Sequence, residues 1–337
     1  MNKHVYIIAE VGPNHNGSLE LALEMVDKIA NTGVDAIKFQ MTNPYELYSD
    51  DSFKATYQVK NDNACSAREM SLRNQLSHEN HIQVYNRCKE LGVDYICTGF
   101  DLGSLKFLDE NMDMAYYKIA SGEIFSLDVI DYIAQKDKPV ILSTGMATYD
   151  EIKLSLSYIN KYKKRDVTIL HCISNYPAPY DEVNLNNMLE LRRLFGCEVG
   201  FSDHTLGNDC AIAAVAMGAA MVEKHVTLDK SLPGPDHKAS ITIDELASLV
   251  RSIRNVEKAL GTTEREFSDA QREISRVARK SIISKHAIKK GDIITAEDIC
   301  FKRPGIGFLP TETEKVVGKT ALCDIDADRV IKTEFIG

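Results

Sequence analysis

No stretch of apolar residues in this 337-residue chain is long enough to cross a bilayer. Its opening residues run straight into a strand pattern without the features of a secretory signal. No membrane partner is expected, and the cytoplasm is the expected compartment. Positive charge is scarce as well: 40 lysines and arginines stand against 49 aspartates and glutamates, a net charge of -9. That balance argues against nonspecific binding to nucleic acid or acidic membranes, although a small basic pocket can still hold an anionic ligand. No Cys-x-x-Cys occurs among the eight cysteines, which reads as reduced thiols rather than a disulfide framework or zinc knuckle, with Cys97 and Cys172 in the core. Gly-x-Gly-x-x-Gly is missing after the first strand pattern, so no nicotinamide or flavin site is expected. With 44% hydrophobic and 26% charged residues, the chain has the composition of an ordinary globular protein, and disorder is excluded.

What is present is an alternation. Short β-rich runs cover 5–11, 36–40, 95–100, 116–120, 139–143, 167–172, 199–204 and 221–226. Helix patterns at 19–31, 79–91, 127–135, 149–162 and 186–194 separate most of them, which implies parallel strands joined by crossover helices. Eight such units predict an α/β fold, a closed (β/α)8 TIM barrel, over residues 1–262. A last helix pattern, 243–260, leads to a polar linker at 263–280 and a small domain richer in β than α at 281–337. A domain of that size buries a modest core, so docking on the barrel or a second subunit is expected.

On a barrel the catalytic groups gather at the carboxyl ends of the strands. Those ends carry Glu10, Lys38 with Gln40, Thr98, Lys118 with Ser121 and Glu123, Ser143, Ser174 with Asn175, Ser202 with His204, and Glu223 with His225. Residues two apart on a strand share a face, so Lys38 and Gln40, Ser202 and His204, and Glu223 and His225 are each expected to point one way, into the mouth. His204 and His225 close neighbouring strand patterns, which makes them candidate ligands of one divalent metal. Lys38 and Lys118 among hydroxyl and amide groups suit a phosphate or carboxylate, because a lysine left unpaired inside a buried strand is costly. The set fits an anionic substrate beside a polarised carbonyl.

At these residues the chain resembles the sialic acid synthases. The resemblance covers nearly the whole sequence and rests on Ala9-Glu-Val-Gly-Pro-Asn-His-Asn-Gly, Ile37-Lys-Phe-Gln, Tyr117-Lys-Ile-Ala-Ser-Gly-Glu, Leu142-Ser-Thr-Gly-Met, His171-Cys-Ile-Ser-Asn-Tyr-Pro-Ala-Pro, Phe201-Ser-Asp-His-Thr-Leu, Glu223-Lys-His and Gly234-Pro-Asp-His. Ala278-Arg-Lys-Ser-Ile, Ile288-Lys-Lys-Gly-Asp and Lys302-Arg-Pro-Gly resemble the antifreeze-like (SAF) domain that ends such enzymes.

The resemblance implies condensation of phosphoenolpyruvate with an N-acetylmannosamine-type sugar. Carbon three of the enol attacks the aldehyde of the open-chain sugar, and the cation left at carbon two captures water and loses phosphate. By the same resemblance, Lys38, Thr98, Lys118, Ser121, Ser143, Ser174 and Ser202 hold phosphoenolpyruvate, while Gln40, Tyr176 and Asp236 meet the sugar. His204 and His225 bind Mn2+, with Mg2+ or Co2+ as substitutes, Glu10 positions or activates water, and Glu123 assists. Arg303 would reach the sugar pocket of a partner subunit, making a domain-swapped homodimer. The expected product is N-acetylneuraminate, with N,N'-diacetyllegionaminate as the alternative and pseudaminate a weaker one. Cys97-Thr-Gly-Phe departs from the Ser-Thr-Pro-Phe of many members. Asn14 and His15 read equally as catalytic neighbours or turn residues, and His237 reads as a sugar contact. A metal-dependent hydrolase and a noncatalytic sugar-binding module are the rival readings; the first lacks a His-x-His or Asp-x-His signature and gives the two strand lysines no role.

Overall fold

A computed structural model describes residues 4–337. Eight parallel strands form its first unit: β1 (Tyr6–Glu10), β2 (Ala36–Met41), β3 (Asp94–Gly99), β4 (Tyr117–Ile119), β5 (Val140–Ser143), β6 (Val167–His171), β7 (Glu198–Asp203) and β8 (Met221–Thr227). They pair in the order β3-β2-β1-β8-β7-β6-β5-β4, and β4 lies against β3, so the sheet is a nearly closed barrel with helices around it. A two-residue strand, β9 (Ile241–Thr242), adds to β8.

The strand period sorts the side chains into two layers. Ile8, Ala36, Ile96, Ile141, Leu170 and Met221 form a plug inside the barrel. Their neighbours in sequence, among them Ile7, Ile37, Cys97, Leu142, Ile169 and Val222, pack outward on the helices. Two residues beyond the plug, on the same face of each strand, stand Glu10, Lys38, Thr98, Ser143, Cys172 and Glu223. The interior is tight enough to require glycine at position 200: a Cβ there would lie 2.5 Å from the Met221 carbonyl oxygen and 2.6 Å from Leu170 Cδ2.

Caps fix where the helices begin. Ser18 accepts a hydrogen bond from the Leu21 amide at the head of Leu19–Ala30, and Thr242 with Glu245 closes a capping box at the head of Ile243–Leu260. Between β2 and the helix His78–Leu91 the chain inserts three short helices, Pro44–Leu47, Thr56–Asn61 and Ala67–Arg73, that the sequence patterns do not predict. Leu102–Asn111 and Asp209–Ala216 are further helices missed by them.

The second unit is Thr262–Gly337. The stretch expected as linker differs from that expectation: it carries a helix, Asp269–Ala278, capped by Ser268 and burying none of its residues. Beyond it β10 (Ser281–Ser284) pairs antiparallel with β11 (Ile299–Lys302) over a core of Ile282, Ile288, Ile294, Ile299, Val316, Ala321, Ile325 and Ile331. The described cysteines are all free, and no helix among the described residues is long and apolar enough to cross a membrane.

One buried side chain predicts a pH dependence of stability. His81 is fully buried, with Nδ1 2.8 Å from the Tyr95 hydroxyl, and burial, with smaller repulsion from His15 and His78, holds its pKa down to about 3. The unfolded chain takes up the same proton near pH ~6.5. Between those values the unfolded state binds more protons, so stability falls as pH falls, by up to about 1.4 kcal/mol per pH unit for this group. Urea unfolding of the wild type should show this loss between pH 6.5 and 4.5, and His81→Gln should show a shallower slope. Equal slopes would remove His81 from the account.

Candidate active site

Strand register builds the mouth. Glu10 stands opposite Lys38 on one side and His225 on the other, and Glu223 stands opposite Ser202. Four buried charges then alternate. Lys38 Nζ is 2.8 Å from Glu10 Oε2 and 3.7 Å from Glu223 Oε1, and Lys118 Nζ is 2.9 Å from Glu223 Oε2. Neutral groups complete the row: Gln40 donates to Glu10 at 2.6 Å, Lys118 to Ser143 Oγ at 2.6 Å, and Ser202 Oγ to Glu223 at 3.1 Å.

This row sets the protonation states. Burial pushes the Glu223 carboxyl up, but Lys118 and Lys38 outweigh it and hold the group well below the usual carboxylate range. Glu10 ends above that range, because burial and the Glu223 charge exceed the pull of Lys38. Lys38 stays firmly cationic, since Glu10 and Glu223 overcome its burial, whereas burial and Lys38 leave Lys118 with a lowered pKa. Glu223 is the residue that sequence reasoning missed: it was visible at a strand end but had no role, and here it anchors both lysines and Ser202.

The histidines are a second cluster. His204 Nδ1 donates to the Ile173 carbonyl at 2.7 Å, which leaves Nε2 with the lone pair, 3.1 Å from the Tyr176 hydroxyl. The His204 and His225 rings lie 5.6 Å apart, and Tyr176 packs on both. Burial lowers the pKa of His204 to about 4 and that of His225 well below the ordinary value, so both rings are neutral, the form that binds metal. His225 Nδ1 is buried without a hydrogen-bond partner among the described residues, and Asp236 Oδ2 is 3.7 Å away. Burial, with repulsion from Glu10, pushes the Asp236 carboxyl up to about 7. Among the described residues no three histidine, cysteine, aspartate or glutamate side chains converge as a ready-made metal cage. The donors the mouth offers a divalent ion are the two neutral imidazoles, one fewer than the three protein ligands of a typical catalytic zinc site.

These residues line two adjoining cavities. A cavity of about 310 Å³ takes in Glu10, Lys38, Thr98, Lys118, Ser121, Ser143, Ser174, Ser202, His204, Glu223 and His225. A second, of about 260 Å³, shares Gln40, Tyr57, Phe100, Tyr176 and His225 with it and adds Asp236. Thr98 Oγ1 is buried without a hydrogen-bond partner among the described residues. The wall of the first cavity depends on Gly145, whose amide donates to Ser121 Oγ at 3.0 Å and where a Cβ would sit 2.2 Å from Ser174 Oγ. Cys172 is buried as expected, but it turns into the mouth, 3.2 Å from Ser121 Oγ, rather than into the core.

Some predicted residues stand apart. Glu123 lies in the turn Ser121–Glu123, accepts a hydrogen bond from Ser126, and lines neither cavity. Asn14 bonds to the Val226 carbonyl and Ser240, and His237 bonds to Thr227 at 2.7 Å, so both pin loops. His237, expected as a sugar contact, and His15 line neither cavity. Arg303 is exposed on the turn after β11, in the second unit.

Comparison with known proteins agrees with this geometry. The chain matches the NeuB family over residues 25–265 and a SAF domain over residues 279–336. N,N'-diacetyllegionaminic acid synthase of Legionella pneumophila is 40% identical over 336 residues, covering 98% of this chain and 94% of the relative. The N,N'-diacetyllegionaminic acid synthase of Campylobacter jejuni is 39% identical over 333 residues, covering 98% and 99%. The crystal structure of an N-acetylneuraminic acid (sialic acid) synthetase from Leptospira borgpetersenii in complex with citrate superposes with a TM-score of 0.72 at 32% identity, covering 81% of this chain and 90% of that one. A barrel mouth of this kind, matched along nearly the whole sequence and followed by a SAF domain, makes this protein a member of the NeuB family, an enzyme of the sialic acid synthase type.

Proposed function

We propose that this enzyme condenses phosphoenolpyruvate with a 2,4-diacetamido-2,4,6-trideoxy-mannose to give N,N'-diacetyllegionaminic acid and phosphate. The observation that carries the choice of sugar is that the relatives at 39% and 40% identity are both legionaminic acid synthases, against 32% for the sialic acid synthetase. N-acetylmannosamine, the acceptor expected from the family resemblance, becomes the second reading.

Lys38 and Lys118 supply the charge for a phosphate and a carboxylate, and Thr98, Ser121, Ser143, Ser174 and Ser202 supply neutral donors around them. Carbon three of the enol forms the new bond to the sugar's aldehyde carbon, whose oxygen gains a proton. Water adds at carbon two, and phosphate leaves from it. Glu10, gripped by Lys38 and Gln40, orients that water, while Gln40, Tyr176 and Asp236 orient the sugar. His204 and His225 would hold the divalent ion, Mn2+ first and Mg2+ or Co2+ as substitutes, which polarises a carbonyl as a Lewis acid when bound. Arg303 is assigned to the sugar pocket of a second copy, giving a domain-swapped homodimer, and the cytoplasm is the assigned compartment. A hydrolytic reading leaves the buried lysine pair without a substrate.

Phosphate release with manganese tests the choice of sugar. The diacetamido-trideoxy sugar should exceed N-acetylmannosamine in kcat/KM by about 10^2-fold, the scale of two hydrogen bonds at about 1.4 kcal/mol each. Equal or reversed preference would move the assignment to N-acetylneuraminate.

A further inference from the structure

The second cavity joins residues of the shared motifs, Gln40, Tyr176, His225 and Asp236, to others that lie outside them. After β2 the chain runs from Thr42 to Ser77 before the next barrel helix begins, and this insertion supplies most of that cavity's wall. The insertion is tied down. Lys54 Nζ donates to the carbonyls of Asp62 and Ala64, each at 2.7 Å, and Asn61 Nδ2 donates to the Pro235 carbonyl at 3.1 Å, beside Asp236. At its base the Thr42 amide donates to Gln75 Oε1 at 3.3 Å.

Asp236 is the one acidic side chain in the wall among the described residues. No lysine or arginine lines it among the described residues; Leu47, Met70 and Phe100 offer apolar surface, and Thr42, Gln58 and Asn74 offer uncharged polar groups. A phosphorylated sugar end would find no cation of the same chain there, whereas amide and methyl groups find matching surfaces. Thr42 Oγ1 is a buried oxygen with no hydrogen-bond partner among the described residues. Asn74 Nδ2 already donates to the Met70 carbonyl at 3.0 Å, which leaves its Oδ1 to accept.

We propose that this cavity is the subsite for the half of the acceptor that does not react, with Thr42 and Asn74 recognising the amide of its second acetamido group. Thr42 donates to the acetamido oxygen, Asn74 accepts from its N–H, and Leu47 and Met70 receive the acetyl and C6 methyl groups. The inference rests on the legionaminate reading and names the residues that enforce it.

The wild type is assayed first on both sugars, then Thr42→Val and Asn74→Ala, with thermal melting as a control on folding. Each variant should raise KM for the diacetamido-trideoxy sugar about tenfold, the scale of one lost hydrogen bond. The KM for phosphoenolpyruvate should stay at the wild-type value, and the preference over N-acetylmannosamine should shrink by the same factor. Thr42→Val is nearly isosteric and stays interpretable if Asn74→Ala melts early. A wild type that prefers the diacetamido sugar, with variants that keep the full preference, overturns the subsite alone. A wild type without that preference overturns the function and the subsite together.

Discussion

Lys38→Met should lower kcat/KM for phosphoenolpyruvate by about 10^3-fold, the upper range for losing one preorganised electrostatic contact to a reacting anion. Lys38 and Lys118 are the cations lining the first cavity among the described residues, so either loss halves the positive charge offered to the phosphate and carboxylate. Removing a buried lysine also threatens the fold, because breaking a buried ion pair leaves its partner's charge uncompensated, at a cost of about 3–5 kcal/mol. Here Glu10 has an exit. Its carboxyl already sits above the usual range through burial, so without Lys38 it takes up a proton and keeps its bond from Gln40, 2.6 Å away. The variant should therefore stay folded, with a lowered melting temperature. Lys38→Arg should not restore turnover, because a planar fork does not replace a point charge held by Glu10 and Glu223. Turnover within tenfold of wild type in folded Lys38→Met would discard the phosphate site assigned to this lysine.

The barrel and most of its mouth are legible in the sequence because a buried strand has a strict two-residue period. Lys38 with Gln40 and Ser202 with His204 break an apolar run at the spacing that puts both side chains on one face. The role of Glu223 is not legible, since a carboxylate in such a run reads the same as a ligand or as a counter-ion. Its meaning comes from register, which sets it opposite Ser202 and within reach of Lys118, a residue from the far side of the barrel. Asp269–Ala278 is a different case: Ala270, Ile274, Val277 and Ala278 stand at helical spacing, but they are few among polar residues and the helix buries none of them. The insertion after β2 is hidden because its helices are short and bury few residues, Pro44 in the first, none in the second, and Ala67, Met70 and Ser71 in the third. That insertion is also where the sugar's distal half is assigned, which explains why motifs clustered at the strand ends identify the reaction but leave the branch of the family open.

Stripping divalent cations should abolish phosphate release, and manganese should restore it. Two features of the chain lead to this. The His204 tautomer is fixed by the Ile173 carbonyl, which aims an unprotonated Nε2 toward the mouth, and His225 Nδ1 is buried without a hydrogen-bond partner among the described residues, a costly setting. With two protein nitrogens instead of a closed cage, the ion should exchange readily, so chelation ought to act within minutes and without unfolding. An ion held by the folded chain alone should also stabilise the fold, by about 2.7 kcal/mol at a hundred times its dissociation constant. His225→Gln and His204→Gln should each remove the manganese-dependent rise in melting temperature and lower turnover by about 10^3-fold, the scale of one lost electrostatic stabiliser. The melting shift separates the metal from the catalytic step, since it is read without substrate. Full activity after exhaustive chelation, or an undiminished manganese shift in both variants, would show that these histidines hold something other than a metal.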